Sequence, residues 1–326
     1  MSFAILPIEL VDQISLCLSM KDQVSLAATA KRYTDVVQRV LYRHITLDSQ
    51  NNQDCLHSLA NNPIIAKHVR SFTICVSQSN DLLPVLNEAI SNMTELTSLD
   101  IWVEQFSNSW IMKTPDTSTY NRLNRFTCSF NLDHNLAHFL NKTPQLRQLH
   151  VHSLPTSSSD LVSTLRPDAL PLLSQFYGSS QAAQFIVPGR PVEEIHLHSG
   201  DLTEEVARSL AYSTGPVRDL SAVTSSHSVS LIGTLTRCME RLVHLRIVTC
   251  NFSDAPDLAY VSNIADALRS LPDLQTCEIW GIHWVSSQKG FDDEDRVWHS
   301  ETFNTDDVLN GNTVLDVSNL YFHHPH

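Results

Sequence analysis

Hydrophobic positions recur along this chain in two rhythms. Over residues 6–47 the rhythm is helical. Leu10, Ile14, Cys17 and Leu18 fall at i, i+4, i+7 and i+8, which is one stripe of a helix over 6–18. Pro7 suits the first turn, where a missing N–H has no partner to lose, and Glu9 and Asp12 suit the positive end of the helix dipole. Asp22 is the expected N-cap of a second helix of small residues, with Val24, Leu26, Ala27, Ala28 and Ala30. Thr34 is the expected cap of a third helix carrying Val37, Val40 and Leu41. Ile45 and Leu47 then alternate with polar residues, as a short extended stretch does.

From residue 69 the rhythm changes. A unit with apolar residues at its first, fourth and sixth positions recurs nine times, beginning at Val69, Leu96, Leu123, Leu146, Leu173, Val192, Val217, Leu242 and Leu274. The intervals run from 19 to 32 residues with a mean near 26. The last two apolar positions alternate with polar ones, which predicts a strand with one buried face. Helical patterns lie between the strands at 82–93, 136–141, 202–211, 231–241 and 261–271, and Pro144, Pro216 and Pro272 stand where several of them must stop. One strand and one helix bury too little surface alone, but a stack of such units shares a continuous core. The units resemble irregular leucine-rich repeats, with the period of that class. The resemblance implies a solenoid with parallel strands on the concave face and helices outside.

The first segment also carries a resemblance. Leu6-Pro7-x-Glu9-Leu10, then Ile14, Leu18, Asp22, Val24, Leu26, Ala27, Leu41-Tyr42-Arg43 and Ile45, is similar in order and spacing to an F-box. The α/β fold expected is thus an N-terminal three-helix F-box over 1–48 and a linker with a first helix over 49–68. About nine irregular repeats follow over 69–284, and an irregular cap or tail over 285–326. The F-box resemblance implies docking onto a Skp-family adaptor, and through it a cullin, with Leu6, Pro7, Glu9, Leu10, Ile14, Leu18, Val24 and Leu26 at or near that interface. The chain then resembles a fungal-type receptor subunit of a Skp–cullin–F-box ubiquitin ligase. It would be non-catalytic and without a cofactor, and its repeats would bind a target protein that the sequence does not name. The alternative is a leucine-rich-repeat interaction scaffold with a degenerate F-box and no ligase role.

Composition narrows the function classes. Apolar residues make up 42% of 326, enough for a sizeable core. The net charge of −13 gives no chain-wide footprint for nucleic acid. Eight glycines, none in a G-x-G spacing, supply neither a dinucleotide fingerprint nor a phosphate loop. The seven cysteines include no C-x-x-C pair and read as reduced, small hydrophobes. No apolar run reaches the roughly 18 residues of a membrane span, and the first residues lack a cationic start. The expected location is cytoplasmic, nuclear or both, so the sequons at Asn92, Asn141 and Asn251 read as chance matches.

Candidate chemistry is sparse. His134 and His138 sit one helical turn apart, but Asn135 replaces the glutamate of a zinc-protease motif and no third ligand is identifiable, so no metal is expected. Strand alternation instead directs a polar set toward the concave face: Asp100, Trp102, His150, His152, Tyr177, His196, His198, Arg246 and Trp280 are the candidate target-binding residues. Thr127, Ser129 and Ser179 share that parity. Only six lysines occur, none between Lys142 and Lys289, which suits a receptor held beside a ubiquitin-transfer centre.

Overall fold

The computed structural model describes residues 6–48, 53–76, 82–103, 109–151, 164–225, 228–249, 258–279, 282–288 and 296–301. It is an α/β structure dominated by parallel strands, and it divides into two compact units, residues 1–173 and 174–326.

Unit 1 opens with α1 (Ile8–Leu16), α2 (Met20–Thr29) and α3 (Lys31–Leu41). Val11, Tyr33 and Val36 form their core, with Leu6, Leu26 and Ala30 packed on it. The buried side of α1 is thus Val11 and Ser15, not the stripe of Leu10, Ile14, Cys17 and Leu18. Ser15 can be buried because its hydroxyl donates to the Val11 carbonyl at 2.7 Å. The caps also differ from expectation. Ser19, not Asp22, caps α2: its hydroxyl accepts from the Asp22 N–H and donates to the Asp22 carboxylate, a reciprocal arrangement of the capping-box type. Thr34 lies inside α3 and donates to the Ala27 carbonyl, so it ties α3 to α2.

The three helices lead directly into β1 (His44–Asp48), which pairs in parallel with β2 (Ser71–Val76). Tyr42, Ile45 and Leu47 therefore occupy the first, fourth and sixth positions of a repeat one unit upstream of the nine expected ones. β3 (Ser98–Val103), β4 (Arg125–Cys128) and β5 (Gln148–Val151) continue the parallel sheet in order. Between the strands lie α4 (Gln53–Asn61), α5 (Pro63–Ala66), α6 (Leu82–Asn92), a 3-10 turn at Ser109–Met112 and α7 (His134–Leu140).

Unit 2 repeats the plan with β6 (Gln175–Ser179), β7 (Glu194–Ser199), β8 (Asp219–Thr224), β9 (His244–Thr249) and β10 (Thr276–Ile279), all parallel neighbours. The helices are α8 (Ser180–Ile186), α9 (Glu204–Leu210), α10 (Val229–Cys238) and α11 (Leu258–Leu268). Of these, α8 was not legible in the apolar spacing; it begins on a Ser179 cap and ends where the buried Arg190 guanidinium donates to the Ile186 and Pro188 carbonyls. The segment expected to be a ragged cap contributes an antiparallel hairpin, β11 (Ile282–Gln288) with β12 (Arg296–Glu301), whose Trp284 and Trp298 are buried. Residues 302–326 lie outside the described residues.

All nine expected units fall on these strands. Their first-position residues are buried at the strand entrances, and the fourth and sixth positions, such as Phe72 and Ile74 or Leu245 and Ile247, are buried within them. A second regularity lies in the backbone. At four entrances in each unit two successive N–H groups donate to the one carbonyl that immediately precedes the neighbouring strand, at 2.7–3.2 Å. In unit 1, Arg70 and Ser71 donate to Arg43, Thr97 and Ser98 to Arg70, Asn124 and Arg125 to Thr97, and Arg147 and Gln148 to Asn124. In unit 2, Glu193 and Glu194 donate to Ser174, Arg218 and Asp219 to Glu193, Val243 and His244 to Arg218, and Gln275 and Thr276 to Val243.

Polar side chains secure the helix ends. Asn92 donates to the Leu59 and Ala60 carbonyls at the end of α4, and the Tyr120 hydroxyl to the Ile90 carbonyl near the end of α6. Lys142, only 9% exposed, donates to the Thr114 and Pro115 carbonyls and clamps that loop. The Tyr120, Phe139 and Phe126 rings pack in series at 4.9 and 5.2 Å. Phe126→Ala is expected to cost about 3–5 kcal/mol by denaturant unfolding. Tyr120→Phe, which keeps the ring and removes one buried hydrogen bond, is expected to cost about 1 kcal/mol.

Candidate functional surfaces

Two surfaces stand apart from the core. The first is on α1 and α2. Pro7 begins α1 with φ −56° and ψ 146°, and its carbonyl accepts from Leu10 and Val11. Because Val11 and Ser15 take the inner face of α1, several larger apolar side chains of α1 and α2 lie outward. Leu10 is 44% exposed, Val24 55% and Met20 73%, with Ile8 and Leu16 similarly open. Pro7 and Glu9 are exposed, while Leu6, Ile14, Leu18 and Leu26 are half-buried. Of the residues that the motif order singles out, Leu10, Val24, Pro7 and Glu9 lie on an accessible face, and Ile8, Leu16 and Met20 extend that face. Those three are legible only once Val11 is known to point inward. Fully burying a side chain of this size is worth about 1.5–3 kcal/mol, so the face holds several unused increments of binding energy.

The second surface is the open face of the strands, described separately for each unit. In unit 1 the register places Thr46, Thr73, Asp100, Thr127 and His150 in one row, with Cys75 beside Trp102 in the next. Asp100 accepts from the Thr73 hydroxyl at 3.3 Å and lies 3.9 Å from the Arg125 guanidinium. Trp102 meets His150 edge-on at 6.1 Å. Thr127, expected on the open face, is buried at 4% exposure. Ser129 is also buried, because its hydroxyl both donates to and accepts from the Val103 backbone. His152 lies outside the described residues.

In unit 2 the corresponding row is Tyr177, His196, Ser221, Arg246 and Glu278. Tyr177 and His196 stack in parallel, 4.6 Å apart and 5° from coplanar. Arg246 Nε is 3.1 Å from Glu278 Oε2, so the candidate cation arrives with its own carboxylate. Glu194 and Asp219 are direct neighbours across β7 and β8, Gln175 donates to Glu194 at 2.7 Å, and His244 lies 3.8 Å from Asp219. His198 is half-buried on β7. Ser179 is turned away as the cap of α8, and Trp280 lies outside the described residues. Of their partners, strand alternation already assigns Thr73 and Glu278 to the open face, whereas Arg125 and His244 become identifiable only once the register is known.

Reactive chemistry is scarce on these surfaces. Among the described residues no three metal-binding side chains cluster. His134 is exposed, and His138 faces Asp116 at 3.3 Å rather than sharing a ligand set with it. Burial pushes the Cys128 thiol up to about 12, so it is an inert thiol at neutral pH. No helix among the described residues is long and apolar enough to cross a membrane.

Burial holds His196 below its ordinary value, against the opposing pull of Glu194 and Asp219. The folded chain therefore holds this proton more weakly than the unfolded chain. The stability it contributes is complete above the unfolded value of about 6.5 and is lost as pH falls below it. Melting temperature is expected to fall as the pH drops below about 6.5, and the fall should be shallower in His196→Phe, which keeps a ring against Tyr177 and cannot charge. No model of a known protein family matches the chain, and no curated protein matches it.

Proposed function

We propose that this chain is a substrate-recruiting receptor subunit of a cullin-type ubiquitin ligase. Its first three helices act as an F-box that binds a Skp-family adaptor, and its repeats act as a leucine-rich-repeat solenoid that holds a target protein. The observation that carries this reading is the outward apolar face of α1 and α2, with Ile8, Leu10, Leu16, Met20 and Val24 exposed, in the segment whose motif order resembles an F-box. A partner that covers this face removes from water side chains the domain leaves unburied.

On this reading the chain performs no bond chemistry. It raises the effective concentration of the target's lysines near a charged ubiquitin-conjugating enzyme. Its own lysines suit that role: of six, Lys142 has its ammonium buried against the Thr114 and Pro115 carbonyls, and none follows until Lys289.

The test is direct binding of the purified chain to a recombinant Skp-family adaptor. Leu10→Asp with Val24→Asp is expected to weaken binding about a hundredfold or more, since each removes an apolar anchor and buries a charge. Both positions are exposed, so the far-ultraviolet circular dichroism should not change. A wild-type chain that does not bind the adaptor overturns the reading and leaves an interaction scaffold without a ligase role.

A further inference from the structure

The entrances of the unit 1 strands concentrate positive charge in a chain whose net charge is −13. Three of the five residues that immediately precede the unit 1 strands are arginines: Arg43, Arg70 and Arg147. Arg125 opens β4, and Lys67 and Arg122 lie just before the entrances of β2 and β4. The other positions of the two entrance rows are His, Ser, Thr, Asn or Gln, and none is a carboxylate. The equivalent rows of unit 2 hold Glu193, Glu194 and Asp219 against the single cation Arg218. The charge is therefore a property of unit 1 and not of the repeat.

The geometry shows what this rim accepts. Glu95 Oε2 lies 3.0 Å from Arg122 Nε and 3.5 Å from Arg70 Nη1, so one carboxylate is seated between two guanidiniums. Arg125 reaches toward Asp100 at 3.9 Å. Arg70 is held in place by bonds to the Glu95 and Lys67 carbonyls, so its guanidinium is already oriented. Close by, burial and then the charges of Arg39 and Arg70 hold His68 below its ordinary value, while Asp35 opposes them.

We infer that the strand-entrance rim of unit 1 is a docking strip for an acidic, extended segment of a partner protein, its carboxylates lodged between neighbouring arginines as Glu95 is lodged between Arg70 and Arg122. Five entrances at the spacing of parallel strands span about 19 Å, which about six extended residues cover. Guanidiniums suit this partner because each offers a planar fork to a carboxylate. The remaining negative charge of the chain disfavours a polynucleotide, whose phosphates would meet repulsion beyond the strip. A protein as partner rests on the receptor reading above, but the strip itself does not involve the adaptor.

The experiment measures fluorescence anisotropy of a labelled dodecapeptide of alternating Glu and Ser with the full chain, in the absence of adaptor. Arg43→Gln with Arg147→Gln is expected to weaken binding about fivefold or more, while the charge-matched pair Arg208→Gln with Arg241→Gln in unit 2 should leave it within about twofold. Arg125→Gln alone should give a smaller loss in the same direction, and added salt should weaken wild-type binding steeply. The inference is overturned if the wild type does not bind the peptide or if both double variants lose equally. Tighter binding of an oligouridine of the same length, with the same arginine dependence, also overturns it. Because the adaptor is absent, a failure here is separate from a failure of the adaptor experiment.

Discussion

One backbone contact organises this molecule. At four strand entrances in each unit a single carbonyl, from the residue just before one strand, accepts two successive N–H groups at the entrance of the next. The contact fixes the stagger between neighbours, because a slip of one residue would expose the buried side chains and bury the open ones. The buried residue at the first position of each unit stands just before this junction and excludes water from it. Burial and hydrogen bonding therefore select the same register, and each unit depends on its neighbours for both.

That register decides what faces solvent. Along each strand the fourth and sixth positions of the unit go to the core, leaving the alternate positions to present Asp100, Trp102 and His150 in unit 1 and Tyr177, His196 and Arg246 in unit 2. Much of this display is already engaged internally. Tyr177 lies on His196, Arg246 on Glu278 and Trp102 against His150. These side chains are held in fixed orientations, which lowers the entropy lost when a partner binds them. The helical segment shows the opposite economy: α1 turns one small polar residue, Ser15, inward by bonding its hydroxyl to the helix itself, and leaves larger apolar residues outside.

The resemblance to an F-box and the resemblance to leucine-rich repeats meet at β1. The strand that follows the three helices pairs in register with β2, and Arg43 supplies the first entrance carbonyl. On the proposed receptor reading, this strand-paired connection suits a chain that holds a target at a set distance from a transfer centre, since flexible tethers dilute the effective concentration they create.

The apolar spacing alone is sufficient to locate nine of the parallel strands, the three N-terminal helices and five of the helices between strands, because burial on one face imposes a repeat that side-chain type records directly. Spacing does not distinguish the outward Leu10 and Val24 from their neighbours; they stand out only through the motif order that resembles an F-box. Other features are settled by capping and hydrogen bonding rather than by periodicity. Ser19 rather than Asp22 starts α2, Ser179 starts the unrecognised α8, and Ser129 leaves the open face because the Val103 backbone engages its hydroxyl. The arginine column at the unit 1 entrances was present in the sequence as the second residue of successive units. It becomes a surface only when the strands are stacked, because residues about 26 positions apart are brought to neighbouring strands by tertiary hydrogen bonds that no local pattern encodes.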